Sequence, residues 1–417
     1  MKGISKCRIC GNKELVSVID LGEQYLTGVF PETYGQKITS GPLELVKCMS
    51  QTGKGCGLLQ LRHSFDPDEM YGDNYGYRSG INKTMTAHLH DKVRDILSRV
   101  KLKPGDIVVD IGSNDATLLK AYPLAPKASL IGFDPSGEKF LKYYPERVRL
   151  VADYFSAKAF HAVFGGKKAR IVTSIAMFYD LEYPLDFMRD IASILARDGI
   201  WVFEQSYMPL MLKQNAYDTI CHEHLEYYGL RQIQWMAQNV GLKILDVQLN
   251  DTNGGSFSVT AALTDAPYKI NSRAVNSILQ KEKALGLETV KPYKVFRSRV
   301  LRLREELIDF VDKAKKDKQT IVGYGASTKG NVVLQFCGFT HDDISAIAER
   351  NPEKYGCFTP GTRIPIISEA AARALDPDYF LVLPWHFRDE FVKREKDFLS
   401  RGGGLLFPLP KIEVVKR

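Results

Sequence analysis

The chain has 417 residues, of which 44% are hydrophobic and 25% charged; this excludes an unfolded chain or a membrane bundle and, at about 150 residues per domain, predicts two or three domains. Lys and Arg outnumber Asp and Glu by 57 to 49, a formal net charge of +8, which over this length does not mark a nucleic-acid surface, because phosphate binding follows clustering rather than total charge. Apolar runs such as Ile107–Ile111 and Phe380–Leu383 have core-strand length, and the start MKGISKCRIC lacks the apolar core of a signal peptide, so the expected location is the cytoplasm, with no membrane partner and with reduced cysteines.

Four of the seven cysteines open the chain: Cys7 and Cys10 in CRIC, then Cys48 and Cys56 in CMSQTGKGC. C-x2-C followed by Gly11 is a turn that points two thiolates at one metal ion, and the second pair completes a tetrahedron. A closed four-thiolate site leaves no position for substrate, so residues 1–70 are expected to form a structural zinc module. Unlinked core cysteines are the alternative.

From Leu102 to about Leu263 strands and helices alternate, after a lead-in over 71–100, so that 71–265 is expected to be one parallel-sheet domain. KPGDIVVDIGSNDATLL is its first strand–turn–helix unit, and SLIGFD, RIVTSIA and GIWVFEQS supply further strands. The turn Asp110–Asp115 holds a single glycine, Gly112, where a pyrophosphate-binding G-x-G-x-x-G needs three. Acidic residues ending successive strands and one close-approach glycine suit S-adenosylmethionine, which carries no phosphate and needs carboxylates for its ribose and ammonium groups. Asp110, Gly112 and Asn114 form the turn; Asp134 is placed for the ribose diol and Asp153 for the adenine edge. Helix capping by Asp110 and Asp134 is the bland alternative.

Tyr217–Leu230, YDTICHEHLEYYGL, concentrates Asp218, Cys221, His222, Glu223, His224, Glu226, Tyr227 and Tyr228. It is not a zincin, since HExxH requires histidine where Glu226 stands. A histidine beside a carboxylate suits proton abstraction, with His224 and His222 as candidate bases and Glu223 as the orienting group. Cys221 could be a nucleophile, although methyl transfer from a sulfonium is a single displacement and needs none.

Asn276 to Lys318 reads as a long basic helical stretch, with Val300, Leu303, Leu307, Phe310 and Val311 on its apolar face and Lys291, Lys294, Arg297, Arg299, Arg302 and Arg304 supplying charge. No recognition pattern for nucleic acid accompanies it. The strand–helix grammar then resumes in QTIVGYGASTKGNVVLQ, DISAIAERNP, YFLVLPW and LLFPLP, so 266–417 is expected to hold that helix and a second Rossmann-like domain. Its Gly-rich turn, Gly323–Gly330 with Ser327, Thr328 and Lys329, could cradle a diphosphate or could simply serve strand-to-helix packing.

Taken together, CRICG with its two later cysteines, YGYRSGINKTM at Tyr75–Met85, DIGSNDATLL, DTICHEHLEYY, the NGGS at Asn253–Ser256 and GYGASTKGN resemble the sugar C-methyltransferases that act on nucleotide-linked 4-keto-deoxysugars. The resemblance spans essentially the whole chain. It implies an α/β fold: a class I S-adenosylmethionine-dependent doubly wound sheet, an N-terminal zinc module and a C-terminal Rossmann-like domain, with substrate in the cleft between them. It also implies that His224 is the base, with Glu223 beside it and Tyr77 as a substrate-side phenol, and that Tyr75, Asn82, Ser327, Lys329 and Asn331 face the nucleotide sugar. This chain departs from the pattern at Cys221, where some members have tyrosine, and within Ala176–Pro184, where some have a histidine.

On these grounds the expected reaction is C-methylation beside a ketone, in a monomer or homodimer. The rivals are O- or N-methylation of a sugar or other small molecule, and an NAD(P)-dependent oxidoreductase suggested by the two Rossmann-like units.

Overall fold

A seven-stranded sheet occupies the middle of the chain in the computed structural model, which describes residues 1–49, 55–71 and 77–416. Its strand order is Leu242–Asn250, Ser256–Leu263, Leu195–Ser206, Ala169–Ile175, Ile107–Ile111, Ser129–Phe133 and Val148–Val151. The first strand, IVVDI, is buried along its whole length, as expected for a strand covered on both faces. Ile107–Ile111 pairs in parallel with strands on either side, so its C-terminal end, where Gly112 begins the turn, lies at the switch point of the sheet.

The expected all-parallel sheet is corrected at one strand. Ser256–Leu263 runs antiparallel to both Leu195–Ser206 and Leu242–Asn250. The connection Asp251–Gly255 is too short for the crossover that parallel neighbours need, so it closes a hairpin instead. That hairpin projects the NGGS segment from the end of the sheet.

Of the sheets seen among the described residues, the four-stranded one is the least local. Leu15–Tyr25, Ser40–Cys48 and Leu59–Leu61 form an antiparallel set, and Glu226–Tyr227 from the H-E-H region joins its edge, with Glu226 opposite Gln60 and Tyr227 opposite Leu59. The N-terminal module is therefore built into the candidate active segment.

The C-terminal sheet runs Ile366–Ser368, Ile347–Glu349, Ile321–Tyr324, Tyr379–Val382, Gly404–Phe407 and Glu413–Val415, parallel except for the last strand. The basic stretch is two helices, Ser272–Ala284 and Lys291–Lys316. Val275 and Ile278 of the first share a core with Leu242 and Val247 of the central sheet, so packing carries the central unit past residue 265. The second buries Tyr293, Phe296, Val300, Leu303, Leu307, Val311 and Ala314. That stripe shares one apolar core with Leu43 and Leu45 of the N-terminal sheet and with Val322, Phe380 and Leu406 of the C-terminal one. Phe310 is half-buried and meets the Tyr379 ring edge-on at 5.1 Å. Arg299 and Arg304 donate to the carbonyls of Leu212 and Phe336, while Lys291, Lys294, Arg297 and Arg302 lie in solvent. No helix among the described residues is long and apolar enough to cross a membrane.

Candidate active site

The sulfur atoms of Cys7, Cys10, Cys48 and Cys56 all lie within 4.8 Å of one another. Cys7–Cys56 and Cys10–Cys48 are each 3.5 Å apart, close to the separation of about 3.8 Å that Zn–S bonds of about 2.3 Å impose on a tetrahedron. The backbone explains the cage: Gly11 at φ +70° lets its N–H turn back to the Cys7 carbonyl, closing the CRIC turn around the ion. The set fits zinc, and with four thiolates engaged zinc is structural. Lys47, fully buried beside this cage, donates to the Gly57 carbonyl at 2.8 Å and stands 4.5 Å over the Tyr293 ring, which ties the long helix to the zinc module.

The turn after Ile107–Ile111 is assembled from three segments. Gly112 takes φ +72°, which favours glycine, and a Cβ there would lie 3.1 Å from the Met177 side chain that follows the neighbouring strand. Asp134 accepts from the Asn114 N–H at 2.7 Å and from the Ser136 N–H and hydroxyl at 2.8 and 2.6 Å, which fixes the carboxylate beside the turn. Asp110 is almost fully buried and accepts from the Thr173 hydroxyl at 2.6 Å; burial, reinforced by the Asp134 charge, pushes its carboxyl up to about 7. Asp153 is exposed, its carboxylate engaged by the following N–H of Tyr154.

Asn114 spends its side chain elsewhere than on a cofactor. Its Oδ1 accepts from the Ser79 N–H at 2.9 Å and its Nδ2 donates to the Tyr77 carbonyl at 3.0 Å, while Asp115 accepts from the Gly80 N–H at 3.1 Å. The segment 77–82 is thereby laid over the Gly112 turn. Tyr77 is 48% exposed as a residue, but burial pushes its phenol up, opposed by a hydrogen bond with Ser79. Asn82 accepts from the Thr84 and Met85 N–H groups and caps helix Lys83–Arg99, so its carbonyl oxygen serves the helix rather than a ligand. Tyr75 lies outside the described residues.

The two histidines of H-E-H part company at a turn. His224 N–H donates to the Cys221 carbonyl at 3.1 Å, and the side chains diverge. His222 is fully buried, with Nε2 3.4 Å from the Gly41 carbonyl and its ring edge-on to Phe65 at 4.6 Å. Burial pulls its pKa down to about 4, and it packs the N-terminal module onto the segment, which makes it an interdomain contact in place of the expected base. His224 remains partly accessible, with Nδ1 2.8 Å from the Thr219 carbonyl and its ring 4.3 Å from Tyr179. A carbonyl only accepts, so Nδ1 carries the proton and Nε2 keeps the lone pair. Burial, and then the Lys329 ammonium, hold its pKa down to about 3 and keep the ring neutral.

Glu223 sits where Gly28 leaves room: a Cβ on Gly28 would come within 3.4 Å of the Glu223 carboxyl carbon and 3.5 Å of the Thr328 hydroxyl. Burial pushes Glu223 up to about 7, opposed by the Cys221 thiol beside it. The Asp180 carboxyl is driven well up by burial and by the neighbouring Glu223 and Glu226 charges. Cys221 is fully buried with its thiol pushed well up by burial, which suits packing and not nucleophilic attack.

From the C-terminal domain, Ser327 accepts from the Gly330 N–H at 3.0 Å and caps helix Thr328–Cys337. Asn331, expected to face substrate, is buried and donates to the Thr27 carbonyl at 2.7 Å, so it clamps the N-terminal module. Lys329 crosses to the NGGS segment, donating to the Asn253 carbonyl at 3.1 Å.

Three further groups were not picked out from the sequence. Glu204, at the end of its strand, accepts from Lys92 Nζ at 2.8 Å and Asn250 Nδ2 at 2.9 Å and meets His88 Nε2 at 2.5 Å; burial alone would raise its carboxyl, but His88 and Lys92 hold it low. Trp385 donates its indole N–H to Asp218 Oδ2 at 2.9 Å. Glu349 accepts from the Ala326 N–H at 2.7 Å, at the second Gly-rich turn. Glu204 and Glu349 end strands in the motifs GIWVFEQS and IAERNP, the position that had singled out Asp134.

Family models match along the chain: a zinc binding domain over residues 7–71, a methyltransferase domain over 85–247 and a C-methyltransferase C-terminal domain over 251–410. The C-methyltransferase NovU of Streptomyces niveus is 30% identical over 421 aligned residues, covering 100% of this chain and 98% of that protein. Two solved structures are also similar. The S-adenosylmethionine-dependent methyltransferase from Clostridium acetobutylicum has 12% identity and a TM-score of 0.33, over 43% of this chain and 92% of that one. The plantazolicin methyltransferase BpumL in complex with SAH has 10% identity and a TM-score of 0.34, over 42% and 82%. Full-length identity to NovU, joined to a cysteine cage and a single-glycine turn in the places that a zinc domain and a methyltransferase domain match, assigns the chain to the sugar C-methyltransferase family as an S-adenosylmethionine-dependent C-methyltransferase.

Proposed function

We propose that the protein methylates the carbon next to the ketone of a nucleotide-linked 4-keto-deoxysugar, acting in the cytoplasm as a monomer or homodimer. The observation that carries this reading is the His224 tautomer: Nδ1–H is held by the Thr219 carbonyl at 2.8 Å, which leaves Nε2 as a proton acceptor where the N-terminal module, the H-E-H turn and the C-terminal domain meet.

Bound S-adenosylmethionine supplies an electrophilic methyl carbon on a sulfonium. Gly112 gives the backbone close approach for its amino-acid part, Asp134 is set for the ribose diol and the exposed Asp153 for the adenine edge. His224 Nε2 takes the proton from the carbon beside the ketone, and the C–H electron pair becomes the carbon–carbon double bond of an enolate. Glu223, pushed up to about 7 by burial, stands next to it in the turn as a second titrating group. Amides opening helix Thr328–Cys337, capped by Ser327, suit the diphosphate. The domains on either side of the sugar hold the reacting carbons at roughly 3–3.5 Å.

The experiment is mass spectrometry and NMR of products from dTDP-, GDP- and CDP-linked 4-keto sugars. A new carbon–methyl bond beside the ketone is the expected result; a methyl on oxygen or nitrogen selects the heteroatom reading. Hydrogen exchange with deuterated water in the absence of methyl donor tests the enolate separately. A thermal shift with NADH and none with S-adenosylmethionine would overturn the methyl-transfer reading in favour of the oxidoreductase.

A further inference from the structure

We propose that Lys329 and His386, both contributed by the C-terminal domain, bind the keto oxygen of the substrate and hold the negative charge it carries as the enolate. This rests on the ketosugar reading above and changes the job of Lys329, whose sequence context pointed to the diphosphate.

The geometry separates the lysine from its own turn. Its ammonium leaves the start of helix Thr328–Cys337 and donates to the Asn253 carbonyl at 3.1 Å, with two N–H donors remaining. The side chain is half-buried, and it makes no ion pair within 4 Å among the described residues. Its charge reaches His224, His386 and Asp218. The cation thus acts on the proposed base, and no carboxylate forms an ion pair with it among the described residues.

His386 stands on the same wall. Its Nδ1 is enclosed and has no hydrogen-bond partner among the described residues. A Cβ on Gly254 of the NGGS segment would fall 3.8 Å from the His386 Cβ and 3.3 Å from the Trp385 ring, so that glycine, at φ +87°, lets the two segments close on each other. The Trp385–Asp218 hydrogen bond of 2.9 Å fixes the neighbouring indole. Asp218 is a buried carboxylate within reach of the Lys329 charge; burial raises its pKa, and Lys329 and the Trp385 donor oppose the rise.

The charge balance gives the arrangement its sense. As His224 Nε2 accepts the proton, the C–H pair forms the C=C bond and the carbonyl π pair moves to oxygen. An imidazolium beside Lys329 with nothing to balance it is unfavourable, and an enolate oxygen between them supplies the missing charge. When the enolate carbon takes the methyl, the C=O bond re-forms, the donor's S–C bond electrons remain on sulfur, and His224 returns its proton to solvent. A preorganised cation in a partly dry site acts on charge that exists only after proton removal, which is the condition for acceleration.

The test uses the full-length zinc-loaded enzyme with Lys329→Met, Lys329→Arg and His386→Gln. Three quantities are read: the S-adenosylmethionine Kd as a folding control, the Kd of the free nucleoside diphosphate, and solvent-deuterium exchange into saturating 4-keto sugar without methyl donor. Lys329→Met is expected to slow exchange about 10²–10³-fold with the nucleoside diphosphate Kd within about threefold of wild type, Lys329→Arg to recover part of the rate, and His386→Gln to slow exchange about tenfold. Exchange unchanged at saturation with the nucleoside diphosphate Kd raised about tenfold or more would assign Lys329 to the diphosphate and overturn the proposal. A wild-type enzyme that binds the keto sugars yet neither exchanges hydrogen nor methylates carbon overturns the ketosugar reading itself, and this inference with it.

Discussion

Two turns in this molecule follow the same strand–glycine–helix order and differ in the charged groups that reach beyond them. The turn after Ile107–Ile111 gathers Asp110, Asp115 and Asp134, and its side chains bond within the central domain and to the segment over it. The turn after Ile321–Tyr324 presents Lys329, and its helix reaches outward, to Asn253 through Lys329 and to Thr27 through Asn331. The backbone of such a turn is a property of the fold; the sign of the groups it carries says which ligand it suits. Carboxylates suit a cationic, phosphate-free cofactor, and a lysine suits an anionic group of the substrate.

Zinc removal tests whether the two halves depend on a common frame. Chelation, or Cys48→Ser, should abolish methylation and lower the melting temperature, because structural zinc contributes roughly 10–16 kcal/mol of apparent binding energy, and the sheet it braces includes Glu226–Tyr227 close to His224. Activity surviving a zinc content measured as nil would show that the site stands without the cage.

His224 stands between the halves. His224→Ala should cut C-methylation by about 10²–10⁴-fold while leaving S-adenosylmethionine binding intact, as calorimetry would show. His222→Ala should act instead through stability, lowering the melting temperature with little change in kcat for the enzyme that remains folded, because that ring packs on Phe65.

Asp134→Asn separates the two turns directly. It should raise the S-adenosylmethionine Kd about 10- to 100-fold, the loss of about 1.5–3 kcal/mol expected for a charged hydrogen bond, and leave the nucleoside diphosphate Kd unchanged. Equal weakening of both ligands would break the division of labour between the turns.

Glu223 gives a pH signature. Its folded pKa of about 7 lies above the ordinary 4.5, so the folded state holds the proton more tightly, and the stability this confers is full below about 4.5 and lost as pH rises through about 7. Glu223→Gln should therefore melt with the wild type at pH 4.5 and above it at pH 8. In a pH profile of kcat/KM, the rise near 7 should vanish in this variant.

Ser327→Ala should have the smallest effect, about 1 kcal/mol of stability from the lost helix cap, with the S-adenosylmethionine Kd unmoved and the nucleoside diphosphate Kd modestly raised.

Much of the site chemistry was legible where neighbouring residues make the ligand set. C-x2-C with a following glycine builds half a metal cage locally, and DIGSND declares a tight turn that approaches no pyrophosphate. The H-E-H pair shows the limit. Spacing made His222 and His224 equivalent, and they became different only when Gly41 and Phe65 covered one and Thr219 and Tyr179 held the other. Asn82 and Asn331 likewise read as polar groups in suggestive motifs, and their actual partners are a helix start and a carbonyl 304 residues away.

The sequence by itself determined the zinc cysteines, the strand–turn–helix units and the acidic strand ends, because those depend on periodicity and on residues within a few positions of one another. Tertiary structure decided that Glu226–Tyr227 completes the zinc module's sheet, that Gly28 leaves room for Glu223, that Glu204 gathers His88, Lys92 and Asn250, and that the Lys329 charge reaches His224 from another domain. Each of these joins segments far apart in the chain, where no local spacing records the partner and only the packing of three sheets brings the charges together.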